Sequence, residues 1–127
     1  MAKVPKPTDG ELEILAVLWE RGPSTVREVQ ETLSGAKQVG YTTVLKLMQI
    51  MYDKGLLTRD ESQRTHVYRA AARKETTQRQ LIRDLMARAF NGSSEQLVLQ
   101  ALSAQRASKE DLAKIRRLIS EIEGGRQ

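Results

Sequence analysis

GYTTVLKLMQIMYDKGLLTRDESQRTHVYRA, residues 40–70, sets an amphipathic helix, a glycine stop and a basic hairpin one after another without spare residues. Val44, Leu47, Met48 and Met51 recur at helical spacing, so one face is expected to be buried, while Thr42, Thr43, Lys46, Gln49 and Asp53 remain on an outward polar face. Gly55 stands where a helix should stop. Leu56 to Arg59 and His66 to Arg69 then read as two short strands around a polar connection from Asp60 to Thr65.

Toward the N-terminus, Asp9 is the expected N-cap of a helix in which Leu12, Leu15, Ala16 and Trp19 form one stripe, widened by Ile14 and Leu18. That helix should end near Gly22-Pro23, with Trp19 in the core. Thr25 or Ser24, followed by Glu28, resembles a capping box, and Val26, Val29 and Leu33 supply an inward face until Gly35. Gly35 to Gly40 is the turn before the helix quoted above. Three helices and a hairpin in this order are the pattern of a winged helix-turn-helix, whose third helix enters the DNA major groove by its first turn while the hairpin follows the backbone. Thr42, Thr43 and Lys46 are therefore candidate groove residues, with Tyr41 immediately before them.

Toward the C-terminus the character changes. Leu81, Ile82, Leu85, Met86, Ala89 and Phe90 form one apolar stripe, Leu97, Val98, Ala101 and Leu102 a second, and Leu112, Ile115, Leu118, Ile119 and Ile122 a third. Asn91 to Ser94 and Ser103 to Ala107 separate them, Ser108 with Asp111 marks the last start, and Gly124-Gly125 marks its end. The expected fold is thus mainly α with a small β-wing: a winged-helix DNA-binding domain over residues 1–72 and a three-helix dimerisation domain over 73–127. So short a helical segment buries too little surface to stand alone. A second copy is the simplest partner, since twofold pairing is the commonest oligomeric symmetry and dimeric readers match palindromic sites. Leu81, Leu85, Phe90, Leu112, Ile115, Leu118, Ile119 and Ile122 are the candidate seam; packing of these helices back onto the reader domain is the alternative.

The chain carries a formal charge of +5, but its distribution says more than its total. Up to Ala36 four cations face six carboxylates, whereas from Lys37 to Lys74 eight cations face three. The positive charge is concentrated on the expected reader and wing. Phosphate contacts position a protein and make binding salt-dependent, and base-edge contacts select sequence. Lys37, Arg59 and Arg64 are accordingly assigned to phosphate, Lys46 to guanine acceptors, and the Thr42 and Thr43 methyl groups to thymine. Tyr41 suits either backbone phosphate or packing; Tyr68 and His66 suit packing at the wing.

No cysteine and a single histidine, His66, leave neither a disulfide framework nor a zinc or histidine metal cluster, and no cofactor is expected. The first residues, MAKVPKPTDG, lack the apolar core of a signal peptide, and no stretch approaches the ~20 apolar residues of a membrane span. A cytoplasmic protein without membrane insertion is expected, so Asn91-Gly92-Ser93 reads as a linker rather than a glycosylation site. An enzyme is disfavoured: there is no Gly-rich phosphate loop and no nucleophile paired with a base. The competing class is a winged-helix module that binds an acidic protein, against which stand the small hydroxyl residues where aromatic anchors would be expected.

The order LEIL with LW, TVREV, YTTV, KGL, YRA and the tail LVLQAL with SKEDLAKIRRLISEIE resembles the BlaI/MecI family of penicillinase and methicillin-resistance repressors over nearly the whole chain. The resemblance implies a homodimeric winged-helix repressor on a palindromic operator, controlling β-lactamase or other stress genes. By position, its groove-reading residues fall on Thr42, Thr43 and Lys46, with Leu45 where relatives can carry a polar residue. It also implies induction by a membrane β-lactam sensor that triggers a cut between Asn and Phe in the dimerisation region. This chain has Gln100-Ala101 there, and a pocket shaped for an aromatic loses contact with a methyl group. A copper-responsive branch uses a cysteine cluster that this chain lacks.

Overall fold

The computed structural model describes residues 6–125; the first five residues, part of the segment read for a signal peptide, and the last two lie outside it. Helix α1 (Asp9–Arg21) starts from a capping box one residue earlier than expected. Thr8 Oγ1 accepts from the Glu11 amide at 3.2 Å, and Glu11 Oε1 accepts from the Thr8 amide at 3.0 Å. Thr8 displaces Asp9 as the cap because the box needs its hydroxyl three residues before the Glu. The face of α1 turns accordingly: Glu11, Ile14, Leu15 and Leu18 are buried, Leu12 and Trp19 only partly so, and Ala16 is exposed. Trp19 sits at the edge of the core instead of inside it, where its indole N–H donates to the Ala72 carbonyl at 3.0 Å.

Helix α2 (Val26–Ser34) is capped by Thr25, whose box with Glu28 is complete in both directions, and it buries Val26 and Val29. Helix α3 (Tyr41–Lys54) buries Val44, Met48 and Met51. Its stop is a Schellman closure: the Gly55 amide donates to Tyr52 and the Leu56 amide to Met51, with Gly55 in the left-handed region at φ 87°. That closure uses Leu56, so strand β1 is Leu57–Asp60, one residue later than expected, and β2 is correspondingly Val67–Ala70. The two pair antiparallel, Leu57 opposite Ala70 and Arg59 opposite Tyr68, making the wing.

The wing is tied back to the α1–α2 connection by an isolated bridge in which Ser24 and Tyr68 exchange both backbone hydrogen bonds, at 2.9 and 2.8 Å. Ile14, Leu15, Leu18, Val26, Val29, Val44, Met48, Met51, Leu56, Leu57 and Tyr68 form the core cluster. Each large apolar side chain removed from water there contributes on the order of 1.5–3 kcal/mol before conformational entropy is counted. This is a winged helix-turn-helix.

Helices α4 (Lys74–Ala89), α5 (Ser94–Ala104) and α6 (Lys109–Gly124) complete the chain. Two compact units divide inside α4, between Leu81 and Ile82. Ser93 and Ser108 cap α5 and α6 through the amides of Gln96 and Asp111, and Asn91 and Gly92, both at positive φ, form the turn after α4. From Ile82 to Gly125 no residue is buried. Among the described residues, no helix is long and apolar enough to cross a membrane.

Candidate nucleic-acid interface

Burial of Val44, Met48 and Met51 fixes the rotation of α3 about its axis, and the opposite face follows from the 3.6-residue period. Thr42, Thr43, Lys46, Gln49 and Asp53 are exposed on it, and Leu45 is partly buried against the core. Lys46 forms no ion pair among the described residues. Gly40 precedes the helix without a side-chain cap, so the first-turn amides of α3 and the positive end of its dipole are not covered by a capping side chain. This end of the helix can donate to anionic or acceptor groups, with short hydroxyl side chains that permit close approach.

The turn before it is held by α2. Gln30 Nε2 and Ser34 Oγ both donate to the Val39 carbonyl, at 3.1 and 3.3 Å. Lys37 lies in this turn with its ammonium 2.8 Å from Glu13 Oε1, both side chains about half exposed. So open a pair is weak and can be exchanged for another anion. Tyr41, 38% exposed, lies under the Arg27 guanidinium, whose carbon is 4.5 Å from the ring centroid. Arg27, on the first turn of α2, was not legible as part of this surface, because only the packing of α2 beside α3 brings it there.

The wing separates two arginines that sequence reasoning grouped together. Arg64, near the tip, is exposed and without an ion pair among the described residues. Arg59, expected at a phosphate, has its guanidinium engaged within the protein. It lies 3.9 Å from the centroid of the Tyr52 ring, donates through Nη1 to the Tyr68 hydroxyl at 3.4 Å, and donates through Nε to Glu61 Oε2. The hydrogen bond from Arg59 holds the Glu61 carboxyl below its ordinary pKa. Asp60 accepts from the Ser62 amide at 2.9 Å, which shapes the loop, and its hydrogen bonds with Ser62 lower its pKa. Tyr68 is buried and His66 half-buried.

In the C-terminal unit the residues assigned to a seam are exposed or partly buried. Leu85, Leu118, Ile119 and Ile122 are exposed, Ile119 by 49%, while Phe90, Leu112 and Ile115 are partly buried. Leu81, the last residue of the first unit, is also partly buried. Gln100 and Ala101 are exposed within α5, in regular helical backbone.

Comparison with known proteins agrees with this geometry. The family model described as the penicillinase repressor matches residues 7–121. The "Transcriptional regulator BlaI" of Mycobacterium tuberculosis is 31% identical over 126 residues, covering 98% of this chain and 91% of that protein. The "Penicillinase repressor" of Bacillus licheniformis is 24% identical over 121 residues, 95% of this chain and 94% of that one. Among solved structures, that of Bacillus licheniformis BlaI in its monomeric form in complex with the blaP half-operator is similar at a TM-score of 0.50 and 27% identity, covering 59% of this chain and 92% of the other.

Proposed function

This chain belongs to the penicillinase repressor family, a family of transcriptional regulators, and on that basis we propose that it is a homodimeric, sequence-specific repressor of a palindromic operator. The observation that carries the reading is the exposed face of α3, where Thr42, Thr43 and Lys46 stand opposite the buried Val44, Met48 and Met51. In this reading those three residues meet base edges, with Tyr41 beside them, and Lys37 and Arg64 meet phosphate. The similar Bacillus licheniformis BlaI structure is a complex with a half-operator, which supports a DNA partner here.

Pairing of two copies is supported by the C-terminal unit, in which stripes of Leu and Ile remain solvent-exposed in the single chain. Large exposed apolar patches mark association surfaces. A dimer carrying two α3 helices would read two half-sites related by its twofold axis. Similarity to a penicillinase repressor points to β-lactamase or other stress genes as the targets, with the protein acting in the cytoplasm. A membrane sensor working through a protease is the family's implied route of induction. Gln100-Ala101 gives that route no aromatic residue at the expected bond, and a helical segment must unwind before a protease can cut it.

Fluorescence anisotropy of the full chain against a duplex from its own upstream region and a scrambled duplex, titrated from low to physiological salt, tests the reading. Preference for the native duplex by ~10³ or more with a steep salt slope is the expected result. Equal, weak binding to both would move the protein-binding alternative to first place.

A further inference from the structure

In strand β1 burial alternates, with Leu57 buried, Thr58 exposed, Arg59 intermediate and Asp60 exposed. Arg59 therefore belongs to the inward face of the wing, the face a cation leaves unless it is held there. Three groups hold it. The Tyr52 ring belongs to α3, Tyr68 is the cross-strand partner of Arg59, and Glu61 begins the wing loop. Its guanidinium thus joins α3 to both strands of the wing through a cation–π contact and two hydrogen bonds from separate nitrogens.

Resting on the repressor reading above, we infer that Arg59 is a positioning residue that sets the wing against α3, so that Arg64 reaches the DNA backbone, and does not itself contact DNA. The root of the wing is also held by the buried Leu57 and Tyr68 and by the Ser24–Tyr68 bridge, but Arg59 lies two residues beyond Leu57, next to the wing loop. Among the described residues, Arg59 is the wing cation with a ring contact to α3. With Nε and Nη1 committed to Glu61 and Tyr68 and the side chain only 21% exposed, its capacity to meet a phosphate is much reduced. Arg64 is exposed and carries no such constraint.

Lysine separates the two roles. It retains a charge that can meet phosphate, but it lacks the plane that stacks and the fork that serves two acceptors. The test is anisotropy of the full chain on the upstream duplex for wild type, Arg59→Lys, Arg64→Ala and the double variant. Arg59→Lys is expected to weaken binding about as much as Arg64→Ala, roughly tenfold, and the double variant to be no more than about twofold weaker than Arg64→Ala alone. Independent losses that multiply, or an Arg59→Lys protein that binds like wild type, would overturn the inference. General destabilisation does not produce dependence on Arg64. If Arg59→Lys melts below the assay temperature, the Tyr52 pair decides: Tyr52→Phe should bind as wild type and Tyr52→Leu should reproduce the loss, whereas wild-type affinity for Tyr52→Leu refutes it. Failure of the repressor reading itself is seen separately, as wild-type protein that does not distinguish the upstream duplex from the scrambled one.

Discussion

The Lys54 ammonium, on the last turn of α3, lies 2.8 Å from the Oε2 of Glu11 on the first turn of α1, and this joins two helix ends that are 43 residues apart in the chain. The Glu11 side chain is 2% exposed and the Lys54 side chain 32%. Burial raises the Glu11 pKa, but the hydrogen bond from Lys54, the one from the Thr8 amide and the Lys54 charge together outweigh it and leave the carboxyl below its ordinary value. Each charge also sits where its helix dipole favours it, negative at a start and positive at an end.

A carboxyl whose folded pKa is depressed stabilises the fold above its unfolded pKa, near the ordinary 4.5, and loses that contribution as pH falls through the lower folded value. Glu11→Gln should therefore cost about 1–3 kcal/mol at pH 7, and the gap to wild type should close as the pH is taken below the ordinary carboxylate range. Urea unfolding of both proteins across that interval is the measurement. A gap that stays constant would show that the pair contributes nothing through its charge.

Gly22 and Gly10 should respond in opposite directions. Gly22, after α1, has φ 89° and ψ −168°, and an added Cβ there meets nothing within 4 Å, so alanine costs backbone strain alone, about 1–3 kcal/mol. Gly10 lies within α1, where an added Cβ would make ordinary contact with Leu47 Cδ1 at 3.8 Å. Gly10→Ala should stabilise by roughly 0.4–1 kcal/mol through the unfolded chain. Thermal melts that shift in the same direction would contradict this.

Lys46→Ala should lower operator affinity by about 1–3 kcal/mol and change the order of preferred base substitutions at one position. Arg64→Ala should weaken all duplexes alike and reduce the salt slope by about 1. Anisotropy on a panel of single-base operator variants at several salt concentrations separates these effects. Identical behaviour of the two variants would remove the assigned division between reading and gripping.

Ile115→Asp or Ile119→Asp should abolish the proposed dimerisation, since either would place a charge in the proposed apolar seam at a desolvation cost of several kcal/mol. Sedimentation velocity of the full chain measures it directly. An unchanged profile for both would mean that copies associate through another surface, or not at all.

Much of the fold was open to reading because its signals are periodic and local. Val44, Met48 and Met51 declare the buried side of α3 at helical spacing, and the polar residues between them declare the other side. One departure is local and another is long-range. Leu56 reads as a strand residue by composition, yet its amide completes the Schellman closure behind Gly55 and delays the strand by one position. Trp19 reads as core by its spacing, yet α1 starts from Thr8 and buries Glu11 against Lys54, 43 residues away, and Trp19 lies at the edge with its N–H on the Ala72 carbonyl.

The order of helices and wing, the outward face of α3, the basic middle third and the apolar stripes of the last three helices all follow from the amino-acid sequence, because each is written in spacings of a few residues. What each cation does follows only from the packed fold. Arg27 over Tyr41, Arg59 on Tyr52, Lys37 at Glu13 and Lys54 at Glu11 are pairings between separate elements. A charge in a sequence has no partner until packing sets the distance: stacking and hydrogen bonding fall away within a few ångströms of contact, and salt screens exposed charges beyond about 10 Å.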